Sequence, residues 1–263
     1  MTGRILHLSD IHFGGENAAA SEAALRFAEA DRPDLVLVTG DLTLNGLPRE
    51  FQAARAWLHR LPRPWLVTPG NHDTPYWNLV LRAFTPFARY KRWIGAPFGE
   101  TAAVAGVMAR TITTARGAQP RLDWSKGAID LDECQAATRT LAGGPADALR
   151  VVAFHHPLVE ATGAPVTGGV YRGDRAAELL AIGEVDVILT GHVHNPFASP
   201  LPYADGKTYT VGAGTLSTRL RGTPAGFNRI CTTADTITVE AMGWTGSHFE
   251  PYRTWALPRR QRA

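Results

Sequence analysis

The chain is poor in cysteine. Cys134 and Cys231 are the only two in 263 residues. They are too few and too far apart to build a disulfide framework. Neither belongs to a CxxC pair, so a thiolate zinc site is excluded as well. Long hydrophobic runs are missing: nothing approaches the roughly 18 apolar residues a membrane span needs. The start of the chain offers no secretory h-region, because Arg4 leads at once into the short, polar Ile5-Leu6-His7-Leu8-Ser9. These absences predict a cytoplasmic protein. Charge of one sign is scarce too. Lys plus Arg number 27 against 24 acidic residues, a net +3, which announces no nucleic-acid partner. Low hydrophobicity is not among the deficits: 44% apolar residues spread along the chain exclude a disordered or low-complexity protein.

What is present is histidine, and it is clustered. Six of the nine lie in short polar groups: His12, His72, His155 with His156, and His192 with His194. Histidines serving solubility would scatter, whereas groups with Asp and Asn alongside read as metal or acid–base chemistry.

Each group closes an apolar run. Arg4 to Ser9 ends in Asp10-Ile11-His12, and Leu35 to Val38 ends in Gly40-Asp41. Pro64 to Thr68 ends in Gly70-Asn71-His72-Asp73, Leu149 to Phe154 in His155-His156-Pro157, and Val185 to Leu189 in Gly191-His192-Val193-His194. The continuous runs are of the buried parallel-strand type. Helical spacing lies between them at Ala18 to Ala30, at Arg49 to Leu61, and at Arg175 to Ile182 with Asp174 as its cap. Open α/β sheets bind ligands at the carboxyl ends of their strands, so five such clusters would converge on one rim. Residues 77–127 read as a helical insert followed by a strand from Ala109 to Ala115. Lys207 to Val211, Phe227 to Thr232 and Thr236 to Ala241 read as antiparallel strands closing a sheet. With no internal repeat and no linker, residues 1–263 are expected to form one domain.

Any one cluster also fits an ordinary strand-ending turn. An Asp after a buried strand can cap a turn, and His155-His156 could be two core histidines. The series DxH, GD, GNHD, HHP, GHxH in that order is far more specific. From about Leu6 to Gly214 it resembles the calcineurin-like metallophosphoesterase superfamily, and within it the bacterial cyclic-nucleotide and glycerophosphodiester phosphodiesterases. The resemblance implies a four-layer α/β/β/α sandwich with two mixed sheets. It implies two divalent metal ions, one held by Asp10, His12 and His194, the other by Asn71, His155 and His192, with Asp41 bridging. Such nitrogen and carboxylate donors suit Mn, Fe or Zn. The position two residues before the proline selects His155 over His156. Two cations about 3.5–4 Å apart neutralise phosphoryl oxygens and make a bridging hydroxide available near neutral pH. His72 would then help the leaving oxygen as an acid, and Asp73 would orient His72 or a metal ligand.

The expected substrate is therefore a small-molecule phosphodiester. A phosphomonoesterase or a phospholipid head-group hydrolase on the same site is the alternative, and a non-catalytic metal-binding scaffold a remote one. No extended basic groove speaks for a nuclease. Three further features carry less. Gly212-Ala213-Gly214 lacks a following Lys-Ser/Thr and reads as a turn near the site. The insert mixes Arg82, Arg89, Lys91, Arg92, Arg110, Arg116 and Arg121 with aromatics, and Arg116 is the expected substrate-side arginine. The tail with Arg253, Arg259, Arg260 and Arg262 is expected to be a solvated terminus, with weak contact to anionic lipid as the other option.

Overall fold

A computed structural model describes residues 3–96, 98–120, 123–158, 169–202 and 204–262. Arg121, one of the basic residues of the insert, lies outside them. The first half alternates as expected. Strand β1 (Arg4–Leu8) leads to α1 (Ala18–Asp31), β2 (Leu35–Thr39), α2 (Pro48–Leu58) and β3 (Trp65–Thr68). Helix α1 starts where the Asn17 side chain accepts the Ala20 amide, and stops at Arg32, which turns left-handed before Pro33. The insert forms two short helices, α3 (Leu79–Phe84) and α4 (Ala88–Trp93), and then a hairpin of β4 (Thr101–Val104) and β5 (Val107–Thr111).

The second half runs α5 (Leu131–Ala142), β6 (Leu149–Ala153), α6 (Gly173–Ile182), β7 (Val187–Thr190), β8 (Phe197–Pro200), β9 (Tyr209–Gly212), β10 (Gly226–Thr232), β11 (Thr236–Trp244) and β12 (Phe249–Pro258). Helix α5 is absent from the sequence expectations. Its signals are short but real: Asp130 accepts the Asp132 amide as cap, and Cys134, Ala137 and Leu141 make its buried stripe. Asp174 is not the cap of α6. Arg172 holds that place, and Asp174 sits in the first turn.

The strands form two six-stranded sheets, ordered β12-β11-β10-β1-β2-β3 and β4-β5-β6-β7-β9-β8. In the first, β1, β2 and β3 are parallel while β10, β11 and β12 run antiparallel. In the second, β5, β6, β7 and β9 are parallel and the edge strands β4 and β8 antiparallel. Strand alternation explains the layers. Ile5, Leu35 and Leu37 point into one buried cluster with Val151, Val187 and Val211 of the other sheet, so the sheets pack face to face. Leu6, Val36 and Val38 point the opposite way onto Ala24, Phe51 and Leu58 of α1 and α2. Val152 and Ile188 likewise meet Ala137 and Leu180 of α5 and α6. The result is the four-layer α/β/β/α sandwich with two mixed sheets.

The tail corrects the expectation of a solvated terminus. Strand β12 continues into a guanidinium cluster in which Arg260 Nε lies 3.5 Å and Arg262 Nη2 2.9 Å from the fully buried Asp186 carboxylate. Arg260 Nη1 also reaches Asp205 at 2.6 Å. These charges are consumed by pairing inside the protein. Among the described residues no helix is long and apolar enough to cross a membrane.

Candidate metal centre

The carboxyl ends of β1, β2, β3, β6 and β7 all emerge at one rim, because these strands are parallel within their sheets. The turns that follow them carry Asp10, His12, Asp41, Asn71, His155, His192 and His194, all of them buried. The backbone is bent hard to bring them there. φ is 54° at Asp10, 53° at His12, 50° at Asp41, 69° at His192 and 55° at His194. Left-handed backbone at a non-glycine residue costs about 1–2 kcal/mol, so the surrounding fold must impose it. Two glycines allow the approach. A Cβ at Gly70 would overlap the Asp41 carboxylate, and one at Gly191 would overlap Ser9 and Asp10.

Lone pairs face one another at the centre. His12 Nδ1 faces the Thr43 carbonyl at 3.3 Å, His194 Nδ1 the Arg219 carbonyl at 2.7 Å, and His155 Nδ1 the Thr39 carbonyl at 2.7 Å. A carbonyl only accepts, so each Nδ1 carries a proton and each ring turns Nε2 inward. His194 Nε2 is then 3.0 Å from Asp10 Oδ1 and 3.3 Å from His12 Nε2. His12 Nε2 is 3.7 Å from Asp10 Oδ1. Asp41 Oδ2 stands 3.7 Å from His12 Nε2 and 3.3 Å from His155 Nε2, between the two groups. Asp10 Oδ1, Asn71 Oδ1 and His155 Nε2 are buried without a hydrogen-bond partner. Buried acceptors without donors are costly unless a cation sits among them. Among the described residues four triads bring their donor atoms within 4.8 Å, a span one ion can bridge: Asp10 with His12 and His194, Asp10 with Asp41 and His155, His12 with Asp41 and His72, and His155 with His156 and His192.

The rings differ in protonation: His12 and His192 are ready as lone-pair donors, whereas His155 holds a proton that a cation would displace. Burial lowers His12 and His192 to about 3, so both are neutral lone-pair donors at neutral pH. Burial also acts on His155, but the Asp41 carboxylate outweighs it and raises that ring to about 9. Burial opposes ionisation of Asp41, and yet His155 and His72 hold its carboxyl well below the usual range. The same contest, won chiefly by His194, keeps Asp10 low.

His156 is separated from His155 by its partners. Its Nδ1 meets Thr114 Oγ1 at 2.8 Å and its Nε2 the Ser125 carbonyl at 2.8 Å, so neither nitrogen is free. Asp73 contacts no ring. Its carboxylate accepts the amides of Gly70, Leu42 and Thr43 and the Thr43 hydroxyl, which ties the turn bearing Asp41 to the turn bearing Asn71. Burial, followed by the neighbouring Asp41, pushes it up to about 7. His72 is half-buried at the mouth, its Nδ1 2.6 Å from the Leu44 carbonyl and its Nε2 3.0 Å from Arg219 Nη1.

A cleft of about 470 Å³ opens over the cluster. Its walls include Tyr76, then Arg82 and Trp124 from the insert that follows it, and Arg219 and Arg221 from the segment between β9 and β10. Arg116 is not among them, which corrects the expectation of a substrate-side role. Its Nη1 turns back to the Ala115 carbonyl instead. Arg219 and Arg221 went unread because nothing local distinguishes them from surface arginines. Their one signal is the position, shortly after Gly212-Ala213-Gly214, whose neighbour Thr215 donates to the Asp10 carbonyl at 2.6 Å.

The sequence model of the calcineurin-like phosphoesterase family matches residues 3–196. The chain belongs to that family. A glycerophosphodiester phosphodiesterase GpdQ of Enterobacter lignolyticus is 36% identical over 80 residues, 26% of this chain and 29% of that protein. The match thus spans less than a third of that relative. A probable cyclic nucleotide phosphodiesterase of Synechococcus is 27% identical over 210 residues, 75% of each chain. Among solved structures, PhoD superposes with a TM-score of 0.72 at 12% identity, covering 98% of this chain and 70% of PhoD. The purple acid phosphatase PPD1 of yellow lupin superposes with a TM-score of 0.66 at 14% identity, over 98% of this chain and 54% of its own. At such identities the two structures attest the fold alone.

Proposed function

We propose that this calcineurin-like phosphoesterase is a phosphodiesterase with a binuclear metal centre, acting on small-molecule diesters and built as one domain over residues 1–263. One observation carries the reading: Asp10 Oδ1, buried without a hydrogen-bond partner, belongs to a residue whose ligand atom groups within 4.8 Å with those of His12 and His194 on one side and of Asp41 and His155 on the other. Asp10, His12 and His194 would hold one cation, and Asn71, His155 and His192 the other. Asp41 would touch both, since the same oxygen faces His12 and His155. Nitrogen and carboxylate donors without thiolate fit Mn, Fe or Zn. When bound, two such ions neutralise phosphoryl oxygens and lower the pKa of a water toward neutrality. The names of the two relatives, a glycerophosphodiester and a probable cyclic nucleotide phosphodiesterase, favour a diester.

The chain's own residues do the rest. The carbonyls of Thr39, Thr43 and Arg219 fix the ring tautomers, so the inward nitrogens need no reorganisation. Asp73 clamps the two turns that carry Asp41 and Asn71. His72 presents Nε2 to the cleft, the one ring nitrogen able to pass a proton to a leaving oxygen there. In the free protein that nitrogen accepts from Arg219, so the acid role requires Arg219 to turn toward substrate and Nε2 to take up a proton before the leaving oxygen departs.

The test is hydrolysis by purified protein with Mn, Fe or Zn added back. Bis-p-nitrophenyl phosphate, glycerophosphocholine and cyclic AMP are compared with p-nitrophenyl phosphate and phosphatidylcholine. Diesters should turn over faster, and chelator should abolish it. A dominant rate on p-nitrophenyl phosphate would make the protein a phosphomonoesterase and end the diester reading.

A further inference from the structure

We propose that Arg221, with Arg219 beside it, forms the phosphate-holding clamp of the cleft, gripping the phosphoryl oxygen that faces away from the metals. The inference rests on the binuclear reading above. Three arginines line the cleft, and they are not alike. Arg82 is structural: its Nε donates to the Gly117 carbonyl at 3.0 Å and its Nη2 to the Trp124 carbonyl at 3.2 Å. Arg219 is engaged by a weak, displaceable partner, the Nε2 of His72. Arg221 has Nη1 buried with no hydrogen-bond partner at all. A guanidinium nitrogen out of water and without an acceptor is expensive, and a ligand oxygen is the acceptor the cleft lacks.

Electrostatics sharpens the case. The acidic groups acting on Arg221 are Asp10 and Asp41, and the nearby basic one is Arg219. Two divalent cations would more than neutralise those carboxylates. The guanidinium would then face net positive charge, and only an incoming anion relieves it. A phosphate oxygen suits a planar donor fork, which can take it in a bidentate grip.

The segment is held in place for such a task. Ser217 Oγ accepts the Arg219 amide at 3.2 Å and meets Thr215 Oγ1 at 2.7 Å, while Thr215 Oγ1 donates to the Asp10 carbonyl. The Arg219 carbonyl accepts from His194, and Thr223 Oγ1 donates to the His194 carbonyl at 3.2 Å. Both arginines therefore ride on a loop pinned from either side to candidate metal-binding residues.

The experiment is calorimetric titration of inorganic phosphate into metal-loaded protein, with metal content measured on the same samples. Wild type is compared with Arg221→Ala, Arg221→Gln and Arg221→Lys. Gln keeps the reach and loses the charge, so it serves should the Ala variant fold poorly. Ala and Gln should bind phosphate about 10- to 150-fold more weakly with metal content unchanged. Lys should fall between, as a point charge without the fork. The KM for bis-p-nitrophenyl phosphate should rise in the same order. Unchanged phosphate affinity in a folded, metal-loaded Arg221→Gln overturns the clamp and leaves the metal centre standing. Wild-type protein that takes up no metal overturns the binuclear reading, and the clamp falls with it.

Discussion

Removing the charge of Asp41 should unlock the proton that His155 holds in the metal-free protein. The ring stands at about 9, and the cause that lifts it against burial is Asp41, whose Oδ2 lies 3.3 Å from Nε2. A rise from 6.5 to about 9 corresponds to roughly 3 kcal/mol of preference for the charged ring. At pH 7 most metal-free molecules then carry the proton, and a cation at that nitrogen must displace it. Its apparent affinity should rise about tenfold per pH unit until pH 9 and then level. The sign for stability follows from a raised pKa. The pair stabilises the metal-free fold fully below about pH 6.5 and loses that contribution as pH climbs through 9. In Asp41→Asn the main charge that lifts the ring is gone, leaving Asp10 and the Thr39 carbonyl against burial, so His155 should titrate well below 9. Imidazole nitrogen NMR on labelled, chelator-treated protein follows the ring directly. A His155 signal that titrates near 6.5 in both proteins would refute the electrostatic account of the centre.

Asn71→Ala should empty mainly one of the two sites, since a neutral amide oxygen reaches a single ion, while Asp41→Ala should weaken both; metal titration read by calorimetry separates them, and equal loss at both sites in Asn71→Ala contradicts the assignment. His72→Ala should keep both ions and lose roughly 10²–10⁴ in turnover on glycerophosphocholine. It should lose much less on bis-p-nitrophenyl phosphate, whose leaving group needs no proton; an equal loss on both removes His72 from the acid role. Gly191→Ala would drive a methyl into Ser9 and Asp10, so it should cost about 1–3 kcal/mol in denaturant unfolding together with metal content. A Gly191→Ala protein that is stable and fully loaded would mean the loops are looser than their packing indicates.

The five strand-ending clusters were legible in the chain because each is local. An apolar run, a glycine and a polar group occupy a handful of adjacent residues, and parallel strands carry such groups to one rim. The helices α1, α2 and α6 were legible for the same reason, by periodicity. Helix α5 escaped because its stripe is only Cys134, Ala137 and Leu141. Strand β12 escaped because its exposed, arginine-bearing edge looks like a tail until it pairs with β11. Arg260 and Arg262 read as solvated charge for the same reason: Asp186, their neutralising partner, is remote in sequence; Arg259 donates instead to the Thr233 and Asp147 carbonyls.

By itself, then, the sequence determined the five parallel strands that end in polar clusters and the residue types offered at those ends, because hydrophobic period and residue type are local properties; the four-layer sandwich was implied by the family resemblance. Only the tertiary structure decided which atoms meet. It bound His156 to Thr114 and Ser125 while leaving His155 open toward Asp41. It turned Asp73 onto backbone amides, set Arg219 against His72, and chose Arg221 over Arg116 for the cleft. Each of these is a contact between segments distant in sequence, set by how two sheets pack and which carbonyl lies opposite which ring. No neighbour along the chain carries that information.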